Sequence, residues 1–132
     1  MKKVFIFVLV AIMTISVCSV AFATVIKSGT TSGGTAGTTT CSGELHYNLA
    51  GAGQDYVYAV TATTGAVGNI GATAKIYYNS TSTSATKVLT SSEVTTGKAT
   101  VGTGYRATSG KTSHNFYSSA YGSWSATITK GF

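Results

Sequence analysis

The chemistry open to this chain is bounded by a short inventory of ionisable side chains. Three acids, Glu44, Asp55 and Glu93, and two histidines, His46 and His114, stand against nine lysines and arginines, for a formal net charge of +6. Glu44 and His46 are two apart, so on a strand they share a face and could grip a metal ion if His114 or Cys41 approached. Two neighbouring ligands are not a site, however, and the pair reads as a solvated charged couple, so no metal is expected. A Ser-His-Asp triad can be written from His114, Asp55 and any of many serines, yet no nucleophile elbow accompanies it. Nothing brings two of the three acids across a cleft, as glycoside hydrolysis requires. The glycines punctuate turns rather than precede a helix, so no phosphate loop or dinucleotide fingerprint is present. The expectation is a non-enzymatic protein with no cofactor.

Aromatic residues carry the best binding signal. Tyr117 and Tyr121 share parity on a segment whose opposite parity carries Phe116, and Tyr77 sits opposite in parity to Tyr78. If Phe116 and Tyr78 point inward, Tyr77, Tyr117 and Tyr121 point outward, where tyrosines can stack on sugars or anchor a protein contact. Tyrosine is also simply a good strand former. The basic residues beyond the first 23 are spread nearly one per predicted strand, without the clustering that nucleic acid demands. They suit solubility and edge protection, or attraction to an acidic envelope polymer.

These side chains need a scaffold, and the sequence describes one. Lys2 and Lys3, the apolar run from Val4 to Val17 and the Ala21-Phe22-Ala23 site form a secretion signal over 1–23, to be cleaved before Thr24, with an uncleaved membrane anchor over Val4 to Ala23 as the alternative. No membrane span is expected after cleavage, and the mature chain is placed outside the cytoplasm, secreted or at the cell surface. Cys18 follows Val17, where a lipobox needs a small residue, so lipidation is not expected. Only Cys41 survives processing, which excludes an internal disulfide and reads as a small buried hydrophobe or as a thiol for an intermolecular bond. Residues 24–40 read as a flexible arm rich in Thr, Gly and Ser, and 41–132 as the folded domain.

Within that domain the apolar period is close to two. Ile70, Ala72, Ala74, Ile76 and Tyr78 alternate with Gly71, Thr73, Lys75 and Tyr77. Ala99 to Ala107 and Trp124 to Thr129 repeat the pattern, and weaker strands are predicted over 39–48, 55–63, 86–94 and 112–120. Turns are expected at 51–53, 64–65, 79–80, 96–97, 109–110 and 121–122. No 3.6-residue period persists, and Thr, Ser and Gly are poor helix formers. The fold class is therefore all-β, an antiparallel two-sheet sandwich of six to seven strands, with a small closed barrel as the alternative. With so little Leu, Ile and Val, aromatic rings must supply much of the core, and Trp124, Phe116, Tyr58 and Tyr105 are the expected anchors.

Three functional classes fit these observations. The first is a non-enzymatic cell-surface structural or interaction protein, self-associating or bound to the envelope, because proline-free strands leave edges with few blockers and the arm could add to a neighbour's sheet. The second is a small secreted antimicrobial protein. The composition over 100–132, chiefly Gly104-Tyr105 and Lys111-Thr112-Ser113-His114, loosely resembles secreted β-sandwich bacteriocins of the lactococcin type, although the tryptophan and glycine pattern at the start of that family's mature chain is missing here. The resemblance would imply an antimicrobial role and assigns no target. The third is a carbohydrate-binding module using Tyr77, Tyr117 and Tyr121.

Overall fold

The computed structural model describes residues 23–65 and 68–132; the predicted leader, except Ala23, lies outside them. Among the described residues there is no helix, and nine strands run in chain order: β1 Ala23–Thr30, β2 Thr40–Asn48, β3 Tyr56–Thr63, β4 Gly68–Tyr78, β5 Thr81–Ser91, β6 Glu93–Thr95, β7 Ala99–Thr100, β8 Ser109–Ser118 and β9 Gly122–Gly131. All pairings are antiparallel. One sheet has the order β1-β2-β3-β6 with β7 also on β3, and the other has the order β5-β4-β8-β9. No strand is shared, so the two sheets do not close into a barrel; β2 and β3 lie over β8 and β4, and β1 lies over β9.

The period of two sorts the side chains as alternating pleats must. From the first sheet Cys41, Leu45, Val57 and Ala59 point inward, and from the second Ile70, Ala72, Ala74, Ile76 and Phe116 meet them. The alanines and Gly43 let the sheets approach, while Phe116 and half-buried Trp124 fill the width. Two of the four expected anchors therefore hold. Tyr58 instead lies on the outer face, because its neighbours Val57 and Ala59 take the inward positions, and Tyr105 is exposed in a loop.

The segment read as an arm is part of the sandwich, which corrects the boundary at residue 40. All eight residues of β1 pair with β2, from Ala23 opposite Tyr47 to Thr30 opposite Thr40. The strand closes over Trp124 so tightly that a Cβ at Gly29 would lie 2.5 Å from the indole Nε1. Beyond it, the Thr35 and Ala36 amides donate to the Ser119 and Ala120 carbonyls, and the Ser32 amide donates to Ser123. Glycine makes this possible: a Cβ at Gly34 would sit 2.7 Å from backbone atoms of the β8–β9 turn. A run without bulky side chains reads as linker, but here it lies flat against another backbone.

Two further differences have local causes. The strand expected over 99–107 ends at Thr100, because Gly104 takes φ of +83° and the Tyr105 amide turns back to the Gly102 carbonyl. The strand expected over 86–94 begins earlier, as β5 at Thr81. Asn79 and Ser80, at φ of +43° and +59°, form a two-residue hairpin turn of the kind whose twist matches the flanking strands.

Candidate functional site

Glu44 and His46 share the outer face of β2, as their spacing implies. His46 Nε2 lies 2.7 Å from Glu44 Oε2 and Nδ1 lies 2.9 Å from the Thr24 hydroxyl of β1. With Nε2–H donating to the carboxylate, neutral Nδ1 is left to accept the Thr24 hydroxyl proton. The imidazole also stacks on Tyr58 of β3, centroids 4.5 Å apart and planes within 3°. The order hydroxyl, imidazole, carboxylate is that of a nucleophile, its base and the acid that orients it. Here it runs across a sheet face and ties edge strand β1 to β2 and β3. Sequence alone does not pair Thr24 with them, because a segment rich in Thr, Gly and Ser shows no register.

His114 and Cys41, the further ligands that a metal site would need, point the other way. Among the described residues no three of His, Cys, Asp and Glu come together. His114 is buried between the sheets, its Nδ1 2.7 Å from Thr61 Oγ1 of β3 and its Nε2 2.7 Å from Thr112 Oγ1. Thr61 Oγ1 donates in turn to the Gly71 carbonyl at 3.0 Å. One consistent chain follows: Thr112 O–H to Nε2, Nδ1–H to Thr61 Oγ1, Thr61 O–H to Gly71. Only the neutral imidazole can accept at one nitrogen while donating at the other. Burial pushes His114 down to about 4, against a smaller upward pull from the Glu44 charge.

Asp55, the remaining half of the paper triad, is remote from this chain. Its fully buried carboxylate accepts from the Gly51 and Ala107 amides and from Arg106 Nε at 2.8 Å. Desolvation, the largest single influence, pushes it upward, but these donors and the Arg106 charge outweigh it and hold the group below the usual carboxylate range. Asp55 thereby fixes the turn before β3 to the loop before β8. Cys41 is buried in the first sheet's inner face, its thiol raised by burial and partly offset by a hydrogen bond with Thr63.

The three tyrosines do not form one platform. Tyr77 and Tyr117 both belong to the outward parity of the second sheet, but Tyr117 is opposite Asn69 and Tyr77 lies eight residues further along β4, roughly 27 Å away. Tyr117 is 58% exposed. Tyr77 is half-buried with the Lys75 ammonium 5.1 Å from its ring centroid. Tyr121 lies beyond the end of β8, in the turn, where strand parity no longer applies; it is half-buried against the core.

The chain matches no protein-family model, and no curated protein and no solved structure is significantly similar to it. Geometry alone therefore carries the functional argument. It offers a pinned imidazole on one outer face, a sealed one inside, and, in Tyr117, the most exposed ring of the three tyrosines.

Proposed function

We propose that this is a secreted, non-enzymatic protein of the cell surface that associates with itself through strand edges. The observation that carries the reading is β5. It is an eleven-residue edge strand whose register with β4 runs unbroken from Gly68–Ser91 to Tyr78–Thr81, with no bulge and no proline. Val88 is 60% exposed on it, Leu89 is also exposed, and Lys87 is its one charge. Long regular edges of this kind, with one charge and exposed apolar side chains, are templates for another strand. The Lys-led leader and its Ala-Phe-Ala site support export, and no helix among the described residues is long and apolar enough to cross a membrane.

Analytical sedimentation of the chain from Thr24 tests this, beside a Val88→Lys/Leu89→Lys variant. The expected result is concentration-dependent association of the natural chain and a monomeric variant with unchanged circular dichroism. A natural chain that remains monomeric throughout overturns the reading.

A further inference from the structure

The outward side of the second sheet carries a pattern that edge pairing does not use. Across β5, β4, β8 and β9 the side chains fall into registered rows, about 4.8 Å between strands and about 6.7 Å between rows. One row contains Tyr117 between Asn69 and Ser123. Two rows further along, Thr86, Thr73, Ser113 and Thr127 form an unbroken line of hydroxyls, with Thr73 and Thr86 3.0 Å apart. In the next row Lys75 and Lys111 are directly opposite one another. Like charges so placed repel, and none of the chain's three acids lies in this sheet. Among the described residues, the acids with a basic side chain in contact are Glu44, beside His46, and Asp55, beside Arg106, both outside it. Lys75 rests over Tyr77, and neither lysine has an acidic partner among the described residues.

Between the exposed ring and the lysines the surface is hollowed. A shallow depression is lined by Thr73, Ser113, Asn115, Ser125 and Thr127, with Lys27 of β1 also at its wall, and a second, on the far side of Tyr117, by Asn69, Thr90 and Ser119. Gly71 leaves room for the Asn115 amide, which packs where a Cβ would stand. We infer that this face binds an acidic polysaccharide, with Tyr117 stacking on a sugar ring, the hydroxyl and amide groups meeting sugar hydroxyls, and Lys75 and Lys111 together holding a carboxylate. The run from Tyr117 to Lys111 is roughly 20 Å, the reach of a chain ligand rather than a single sugar. Charge complementarity, with Lys27 added to the pair, selects the acid and the hydroxyl and amide rows select the sugar; a nucleic acid would call for cations along the whole track, and the depression beside Tyr117 has none. The inference shares the extracellular setting of the reading above but not its self-association.

The test is calorimetric titration at low salt with an oligogalacturonate, its methyl-esterified neutral form, and polyphosphate. Sedimentation of the same samples records association separately, so either idea can fail alone. The expected result is binding of the oligogalacturonate, lost on esterification, and weakened by Lys75→Ser/Lys111→Ser at least about tenfold more than by Lys87→Ser/Lys130→Ser, which removes the same charge elsewhere. Tyr117→Ala weakens oligogalacturonate binding and leaves polyphosphate unaffected. In the natural chain, amide signals of Ser113, Asn115 and Tyr117 shift on titration while that of His46, on the other sheet's outer face, stays. Equal loss from the two lysine pairs, polyphosphate binding as tight as the sugar acid's, or shifts spread over both sheets overturns the inference.

Discussion

Gly43 of β2 faces His114 of β8 so closely that a Cβ on the glycine would fall 2.5 Å from the imidazole Cγ. The inter-sheet spacing at the centre of the molecule is thus set by a missing side chain on one sheet and a hydrogen-bonded ring on the other. Gly43→Ala forces the ring out of line with both threonines, and a loss of about 1–3 kcal/mol is expected, the range for overpacking. Thr61→Val, which removes the acceptor for Nδ1–H without changing shape, should cost a comparable amount by leaving a buried donor unpaired. Urea unfolding followed by Trp124 fluorescence measures both.

Stability should fall in acid in two stages. His114 is held at about 4 in the folded chain, against about 6.5 when unfolded. Between these values the unfolded chain binds more protons, so the contribution of neutral His114 is complete above pH 6.5, declines as pH falls toward 4 and levels off below it. The total is on the order of 3 kcal/mol. Asp55, lowered in the fold, adds a second decline that begins as pH drops below the ordinary Asp range. The urea midpoint should therefore drop first between pH 6.5 and 4 and again below. His114→Gln removes the first stage and leaves the second.

Parity made most of this legible. The alternation from Ile70 to Tyr78 predicts β4 and its buried side, and Glu44 and His46 do share a face. It failed where glycine changes what a segment can do. Gly29 and Gly34 read as linker residues because they carry no apolar signal, yet they admit Trp124 and the β8–β9 turn at distances only a missing Cβ allows. Gly104 takes a polar position of an apparently regular strand and, at φ of +83°, bends it into a loop. Tyr58 and Tyr121 were misplaced for related reasons: one by judging ring size ahead of its neighbours' parity, the other by extending parity past a strand end. The Thr61–His114–Thr112 chain carried no sequence signal, since its three members lie on two strands of different sheets.

Cys41 should be chemically silent in the folded protein. Its side chain is buried and its thiol is raised by that burial, so both access and thiolate are lacking. Reaction with a disulfide reagent at neutral pH is expected at the rate of unfolding, accelerating across the urea transition. Rapid stoichiometric labelling in buffer would instead mark it as available for an intermolecular bond.

The Thr24–His46–Glu44 line separates a clamp from a catalyst in one experiment. As a clamp it joins β1 to the rest of the sheet, and β1 in turn covers Trp124, so His46→Ala should cost about 1 kcal/mol and expose the indole, read as a red shift in its emission. The same dependence means that deleting 24–40 should unfold the chain outright, because it removes a paired strand and the loop bonded to the β8–β9 turn. Thr24→Val keeps the strand and loses only the hydroxyl; its effect should be a fraction of that of His46→Ala, because the carboxylate and the Tyr58 ring still hold the imidazole. If the line were instead a nucleophile with its base, the natural chain would release nitrophenol from an activated ester faster than the Thr24→Val variant. The clamp requires the two to be equal.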